Sequence, residues 1–352
     1  MSPARNSWAE NNQGFLMADV NIPSNALESA VMEEYEVGLN FARLYLSDFL
    51  KGREVATIDE IRGFGGPEPM WFEFAISTNL RGKKICGLLE PHRQEAGRYL
   101  DVGCGYGGTL VAFAKAGFDV FGIDVSEKLV AYSEANCLDH DLRDCVRVGD
   151  ILDEKLVAEL GKFDVISCLD VIEHVPDAAR TMDHMVSLLK PGGVLLLEIP
   201  NKHFLEFVGR DGHFCFFGIT LLPRPLAMKY HATFYPDYRY DVGEYYELSF
   251  YQDELERLGC QSELLAYDHP VYDVNAMGFL FDRFVNGAKE YAGTQKPKLS
   301  LEIQEHVDTG LSSYLNGLFS DLAGVLENPE DRQAFRNKYL TGFWMLLARK
   351  PS

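Results

Sequence analysis

Three aspartates, a run of glycines and two histidines are the residues of this sequence whose types and spacing suit chemistry. The glycines lie in Arg98-Tyr-Leu-Asp-Val-Gly-Cys-Gly-Tyr-Gly-Gly108, ahead of the small, apolar, helically spaced segment Thr109-Leu-Val-Ala-Phe-Ala-Lys115. Tyr99 to Val102 is long enough for one buried strand, and a strand, a tight glycine turn and a helix make a phosphate- or nucleotide-binding opening. Side chains at the glycines would block a ligand from the backbone and the helix from the strand. Asp119-Val-Phe-Gly-Ile-Asp124 ends in an acid about 20 residues after Gly103, the spacing of a carboxylate that accepts both ribose hydroxyls. Ser126 is placed to cap the following helix, which leaves Asp124 for the ligand. Cys145-Val-Arg-Val-Gly-Asp150 ends in a third acid, suited to an adenine amino group with Ile151 packed on the ring; an ordinary turn aspartate is the alternative.

Gly103-x-Gly105-x-x-Gly108 also fits a dinucleotide fingerprint, and Asp101 separates the two ligands. A pyrophosphate on the helix N-terminus would be repelled by a carboxylate two residues before the first glycine. S-adenosylmethionine carries an ammonium and a sulfonium and no phosphate, so the same carboxylate favours it. An NAD-dependent oxidoreductase accommodates the glycines and Asp124 but leaves Asp101 and Asp150 unexplained. A non-catalytic cofactor-binding scaffold is the alternative outside enzymology.

The elements that must hold these residues alternate. Phe163-Asp-Val-Ile-Ser-Cys168 reads as a fourth strand running into Leu169-Asp-Val-Ile-Glu-His-Val175, and Pro176-Asp177 opens a helix to Lys190. Pro191-Gly-Gly193 breaks it before a fifth strand, Val194 to Ile199; Ser262 to Ala266 and Thr341 to Arg349 supply two more. Continuous apolar strands between helices predict an α/β fold: a Rossmann-like, doubly wound, mostly parallel seven-stranded sheet with helices on both faces. Ligands then bind beyond the strands' carboxyl ends, where Asp101, Asp124, Asp150 and the Leu169–His174 loop fall. The candidate cofactor contacts are Asp101, Gly103, Gly105, Gly107, Asp124, Val125, Asp150, Ile151 and Leu169.

Leu100-Asp-Val-Gly-Cys-Gly-Tyr-Gly, Gly122-Ile-Asp124, Gly149-Asp150, Leu169-Asp-Val-Ile-Glu-His-Val and Leu189-Lys-Pro-Gly-Gly together resemble the ordered motifs of class I S-adenosylmethionine-dependent methyltransferases. The quinone and small-molecule O-methyltransferases are the nearest group, over about residues 79–201. The resemblance implies that the helix before the first strand supplies an Arg to the cofactor carboxylate, and Arg81 stands in that place; a solvated patch with Lys83 and Lys84 is the alternative. It also implies that the last strand runs antiparallel at the sheet edge.

Domain organisation follows from where the sheet pattern stops. An N-terminal helical lid (1–85) precedes the Rossmann-like core (86–202), an aromatic cap insertion (203–247), a return to the core (248–268), a helical insertion (269–341) and the last core strand (342–352). Residues 1 to about 26 read as loose, and Leu27 to Leu50 as one long amphipathic helix that packs on the sheet or closes over the cleft. Aromatic His203–Tyr246 is too apolar for disorder and either buries an organic acceptor or packs as a helical or dimer element. Ile303 to Val325 form a long apolar stripe for core or subunit contact.

Methyl transfer to a hydroxyl requires loss of a proton, so a base is expected. His174, after the fourth strand, is the first candidate, His213 in Asp211-Gly-His213 the second, and His203 a weaker third. No tight His/Asp ligand cluster stands out in the sequence, and no metal is expected. The acceptor reads as a small molecule, partly apolar or glycan-like. A formal charge of −20 opposes nucleic acid or an anionic membrane as partner. Seven scattered cysteines without a Cys-x-x-Cys pair, no apolar run of about 18–20 residues and no signal-like N-terminus predict a cytoplasmic chain, compatible with a homo-oligomer.

Overall fold

The computed structural model describes residues 25–92, 96–266 and 276–352, so the loose N-terminus expected up to about residue 26 lies, through residue 24, outside the described residues. The chain forms two compact units, residues 1–156 and 157–352.

In the first unit, β1 (Arg98–Val102), β2 (Asp119–Asp124) and β3 (Val146–Val148) pair in parallel in the order β3-β2-β1. The glycine turn connects β1 to the helix Gly108–Lys115, as its sequence predicts. Two glycines allow a second helix, Thr78–Leu89, to lie directly on the first. A Cβ on Gly108 would come within 2.0 Å of the Thr78 carbonyl oxygen, and one on Gly82 within 2.1 Å of the Gly108 carbonyl oxygen. Backbone thus meets backbone, and the Gly108 N–H donates to Thr78 Oγ1 at 3.1 Å.

The N-terminal segment differs from the single helix expected over Leu27–Leu50. It is two helices, Ala26–Tyr35 and Leu39–Leu50, parted where Glu36 takes a left-handed conformation (φ 57°). The first begins in a capping box between Asn25 and Glu28. The second is capped from a distance: the Asp139 carboxylate accepts the Asn40 and Phe41 N–H groups at 3.1 and 3.0 Å. Local periodicity cannot register a cap supplied from nearly a hundred residues away. Val31, Phe41 and Phe72 are fully buried, in a cluster that includes Tyr132 and Ala135 of the helix Glu127–Leu138, so this segment is packed core.

In the second unit, β4 (Phe163–Leu169), β5 (Leu189–Pro200), β6 (Gln261–Leu265) and β7 (Phe343–Arg349) follow the order β4-β5-β7-β6. β4 and β5 are parallel, whereas β7 is antiparallel to both β5 and β6. The strand pairing is therefore mixed rather than all parallel, both antiparallel pairings being made by β7, and β7 lies between two strands where the resemblance implied an edge. Its five central residues, Trp344–Ala348, are all buried, as befits a strand with two neighbours. Pro191-Gly-Gly193 lies within β5 itself; the preceding helix ends at Leu188.

No strand occurs between Pro200 and Gln261. The aromatics of this stretch mostly turn inward: Phe204, Phe216, Phe217 and Tyr230 share a core with Leu280, Phe284, Val307 and Leu318. Val307 and Leu318 belong to the 27-residue helix Leu301–Glu327, so the apolar stripe read from Ile303 to Val325 is core.

Replacing Gly108 by Ala tests the backbone contact between the two helices. The added methyl must push Thr78 away, at a cost of about 1–3 kcal/mol, read as a lower urea midpoint with an unchanged slope. An unaltered midpoint would show that the helices are free to separate.

Candidate active site

The glycine turn and its neighbouring acids lie at the strand ends of the first unit. β2 gives its penultimate carbonyl to the glycine turn: Ile123 O accepts the N–H groups of Gly103 and Cys104 at 2.8 and 3.0 Å. Asp124 takes the next donor, with Oδ2 accepting Gly105 N–H at 3.1 Å and Oδ1 accepting Ser126 N–H at 2.9 Å. Ser126 in turn caps the helix Glu127–Leu138 through Leu129 N–H, as its sequence position predicts. Burial raises the Asp124 pKa, and the two backbone donors oppose that rise. Gly103, Gly105 and Gly107 all have positive φ (74°, 52° and 78°), so each favours glycine. A Cβ on Gly105 would meet only Gly103 O, at 3.9 Å, leaving space for a ligand, whereas one on Gly107 would strike Ser133 Oγ at 2.5 Å.

Two buried asparagines that the sequence reading assigned no role clamp this turn. Asn136 Nδ2 donates to Tyr106 O and to Asn79 Oδ1, both at 2.9 Å, and Asn79 Nδ2 donates to Glu36 O at 2.9 Å. The Tyr106 ring packs against Phe41, Tyr45 and Tyr132. The N-terminal helices therefore grip the loop from outside.

Asp101 is buried and accepts a short hydrogen bond from the Thr109 hydroxyl. Val125, beside Asp124, is 70% exposed, an apolar surface next to the carboxylate. Asp150 makes the turn that its alternative reading foresaw, Oδ1 accepting Leu152 N–H at 2.8 Å, and Ile151 is buried behind it. The Arg81 guanidinium lies 5.1 Å from the centre of the Phe74 ring, while Lys83 pairs with Glu36.

The second unit places Leu169, buried, at the end of β4 and brings the two leading histidines together. The rings of His174 and His213 stand edge to face with centroids 5.2 Å apart. Each has its Nε2 near one carboxylate oxygen, Glu173 Oε1, at 3.6 Å from His174 and 3.9 Å from His213. On the far side of each ring Nδ1 meets another oxygen: Asp241 O at 3.2 Å for His174, and the Tyr245 hydroxyl at 3.1 Å for His213. Burial, then the neighbouring His174, push the His213 pKa down to about 4. The turn that carries His213 is folded around Asp211, whose buried carboxylate accepts the N–H groups of His213, Phe214 and Phe216. The Glu173–Val175 loop is held by Gly243, whose N–H donates to Glu173 O at 2.6 Å and whose Cβ, if present, would lie 2.8 Å from that oxygen.

The sequence offered no tight ligand cluster, yet the fold assembles one: Glu173, His174 and His213 each offer a ligand atom within 4.8 Å of the others. Nothing in the spacing of residues 173, 174 and 213 announces it, because His213 arrives on an insertion without strand periodicity. His203 stays outside the group. Its Nε2 contacts both Glu247 oxygens at 2.9 and 3.0 Å, and its ring stacks with Tyr314.

A cavity of about 340 Å³ in this unit is lined by Lys202, His203, Arg224, Tyr240, Glu244 and Tyr245 among others. Tyr245 thus both lines the cavity and touches His213. A larger cavity of about 800 Å³ in the first unit, between Asn25 and Glu60, is lined by none of the candidate site residues.

His203 and Lys202 hold the Glu247 carboxyl at about 2, below its ordinary 4.5, the His203 hydrogen bond contributing most. A depressed carboxyl stabilises the fold fully above its unfolded value and ceases to do so as the pH falls through the folded one. The gap in urea midpoint between the wild type and Glu247→Gln should therefore be widest near pH 5 (an order-of-magnitude choice of pH from that rule) and narrow as the pH falls towards about 2. A gap independent of pH would mean that the carboxylate's charge contributes nothing.

A family profile described as a methyltransferase domain matches residues 80–264, more than half of the chain. The chain is similar to the ubiquinone biosynthesis O-methyltransferase of Methylococcus capsulatus, 38% identical over 130 residues, which are 35% of this chain and 54% of that protein. The protein of the same name from Psychrobacter arcticus is 36% identical over 126 residues, 34% of this chain and 49% of that one. The chain thus spans about half the length of the curated relatives it matches. Among solved structures, a magnesium protoporphyrin IX methyltransferase from Synechocystis with bound S-adenosylhomocysteine is 19% identical, with TM-score 0.40, covering 64% of this chain and 93% of that one. A SAM-dependent methyltransferase from Archaeoglobus fulgidus is 15% identical, with TM-score 0.44, covering 80% and 98%.

Proposed function

The chain belongs to the family of class I S-adenosylmethionine-dependent methyltransferases, and from that premise we propose that it transfers the methyl group of S-adenosylmethionine to a hydroxyl of a small-molecule acceptor. The observation that carries this reading is the pairing of His174 and His213 beside Tyr245, which lines a cavity of about 340 Å³. That volume is at the lower end of the range for small-molecule pockets. Tyrosine faces together with Lys202, Arg224 and Glu244 suit an acceptor that is part ring and part polar, a glycan-like one included. The curated relatives, named as ubiquinone biosynthesis O-methyltransferases, support O-methylation of a small molecule.

In this reading Asp124 accepts the ribose hydroxyls, Val125 and Ile151 flank the adenine, and Asp150 receives its amino group. The positive φ of the glycine turn lets the cofactor approach the backbone. Asp101, fixed by Thr109, favours the cationic end, and Arg81 meets the cofactor carboxylate. Methyl transfer is an in-line displacement, so placing donor and acceptor supplies much of the acceleration. The acceptor proton leaves to His174 as base, with His213 beside it; the low pKa of His213 keeps that ring neutral near pH 7.

The seven cysteines are free thiols and six are buried, which fits a reducing cytoplasm. No helix among the described residues is long and apolar enough to cross a membrane.

Calorimetric titration with S-adenosylhomocysteine and, separately, with NAD tests the donor: the first should bind and the second should not. Asp124→Ala should weaken S-adenosylhomocysteine on the order of tenfold to a hundredfold, the worth of hydrogen bonds to a charged group; unchanged affinity would remove its ribose role. His174→Ala should leave that affinity nearly intact while lowering turnover on the order of a hundredfold or more. Full turnover at every pH would make His174 structural.

A further inference from the structure

We infer that Glu173, His174 and His213 form a binding site for one divalent transition-metal ion of the zinc class. The inference deepens the proposed function, on which its catalytic consequence rests; the binding itself does not.

The donor set and its orientation both point to an ion. Two imidazoles with one carboxylate make a set that borderline divalent ions prefer, whereas calcium and magnesium seek oxygen. Both Nε2 atoms face the same oxygen, Glu173 Oε1, at 3.6 and 3.9 Å. Ligand atoms around a tetrahedral zinc lie about 3.3 Å apart, given bonds of about 2.0–2.1 Å. The two spacings to Glu173 Oε1 therefore need to close by a few tenths of an ångström, and all three ligand atoms already lie within 4.8 Å of one another, a gap that side-chain torsions close.

The outer partners have the arrangement that metal-binding histidines require. A ligating imidazole donates its other N–H to an oxygen, which fixes the tautomer and aims the lone pair at the metal. His174 Nδ1 lies 3.2 Å from the Asp241 carbonyl oxygen, an acceptor with no proton to give, so that nitrogen must be the donor. Nε2 of His174 then carries the lone pair. His213 Nδ1 meets the Tyr245 hydroxyl at 3.1 Å, an oxygen able to accept its N–H and so leave Nε2 for the ion. Asp170 and Asp241 add negative charge close to His213. Glu173 is buried to 1% exposure, and a carboxylate so placed gains most from a cation.

The ligands come from two places with separate supports. Glu173 and His174 lie in the loop after β4 held by Gly243, and His213 in the turn folded around Asp211. The site is therefore preorganised by backbone contacts independent of an ion. Tyr245 joins it to the cavity assigned to the acceptor. A bound ion would supply a Lewis acid there, lowering the pKa of a coordinated hydroxyl. His174 and His213 would then hold the ion, and the proton of the coordinated hydroxyl would leave to solvent water instead of to His174.

The test uses the full chain, stripped with a chelator, dialysed and titrated with zinc chloride by calorimetry and with cobalt chloride by visible absorption. One ion per chain should bind, and cobalt should develop the intense absorption of a low-coordinate nitrogen and oxygen set. Glu173→Gln, His174→Gln and His213→Gln should each weaken zinc binding by at least about tenfold. Magnesium chloride should compete poorly. Each variant is checked for folding by its S-adenosylhomocysteine affinity, which should stay at the wild-type value.

Failure of wild-type protein to bind zinc, or equal binding by a His174→Gln, His213→Gln double variant, would overturn the site. S-adenosylhomocysteine binding without zinc binding removes this inference and leaves the methyltransferase reading intact. Zinc binding without S-adenosylhomocysteine binding does the reverse. Undiminished turnover by the stripped protein would return proton removal to His174 and overturn the catalytic consequence.

Discussion

The first unit depends on how the N–H groups of one glycine turn are spent. Gly103 and Cys104 donate to the Ile123 carbonyl, and Gly105 donates to the Asp124 carboxylate. One strand end thus both shapes the turn and presents the acid. A buried backbone donor left without a partner costs about 1–3 kcal/mol, so the turn is tied to β2 whether or not a ligand is present. The helix-on-helix approach of Gly82 and Gly108 and the asparagine clamp to Tyr106 follow from the same need to hold a loop of positive φ in place.

The second unit meets a different constraint. A histidine pair and a buried carboxylate are costly to bring together unless each polar atom is given a use. The fold supplies those uses from backbone: the Asp241 carbonyl for His174, and the Asp211 nest of three N–H donors for the turn bearing His213. Most of the aromatic insertion is committed to packing with Leu301–Glu327, which gives these loops a rigid support. Only a few of its tyrosines, Tyr240 and Tyr245 among them, turn towards the cavity. The insertion therefore serves as core and as pocket wall through different residues.

Local sequence determined what depends on short-range pattern. The strand, glycine turn and helix from Arg98 to Lys115, the acid at the end of β2 and the Ser126 cap are legible because neighbours in the chain create them. The 3.6-residue stripe of Leu301–Glu327 is legible for the same reason. Tertiary structure decided what depends on groups far apart in the chain. Asn79 holds the Glu36 carbonyl at the break and Asp139 caps the start of the next helix, and the antiparallel β7 sits between β5 and β6 because it returns from beyond residue 340 to pair with both. The meeting of His213 with Glu173 and His174 is of the same kind. Residue type announced that each histidine could act, but only the long-range closure of the Asp211 turn onto the Glu173 loop placed both Nε2 atoms before a single carboxylate oxygen.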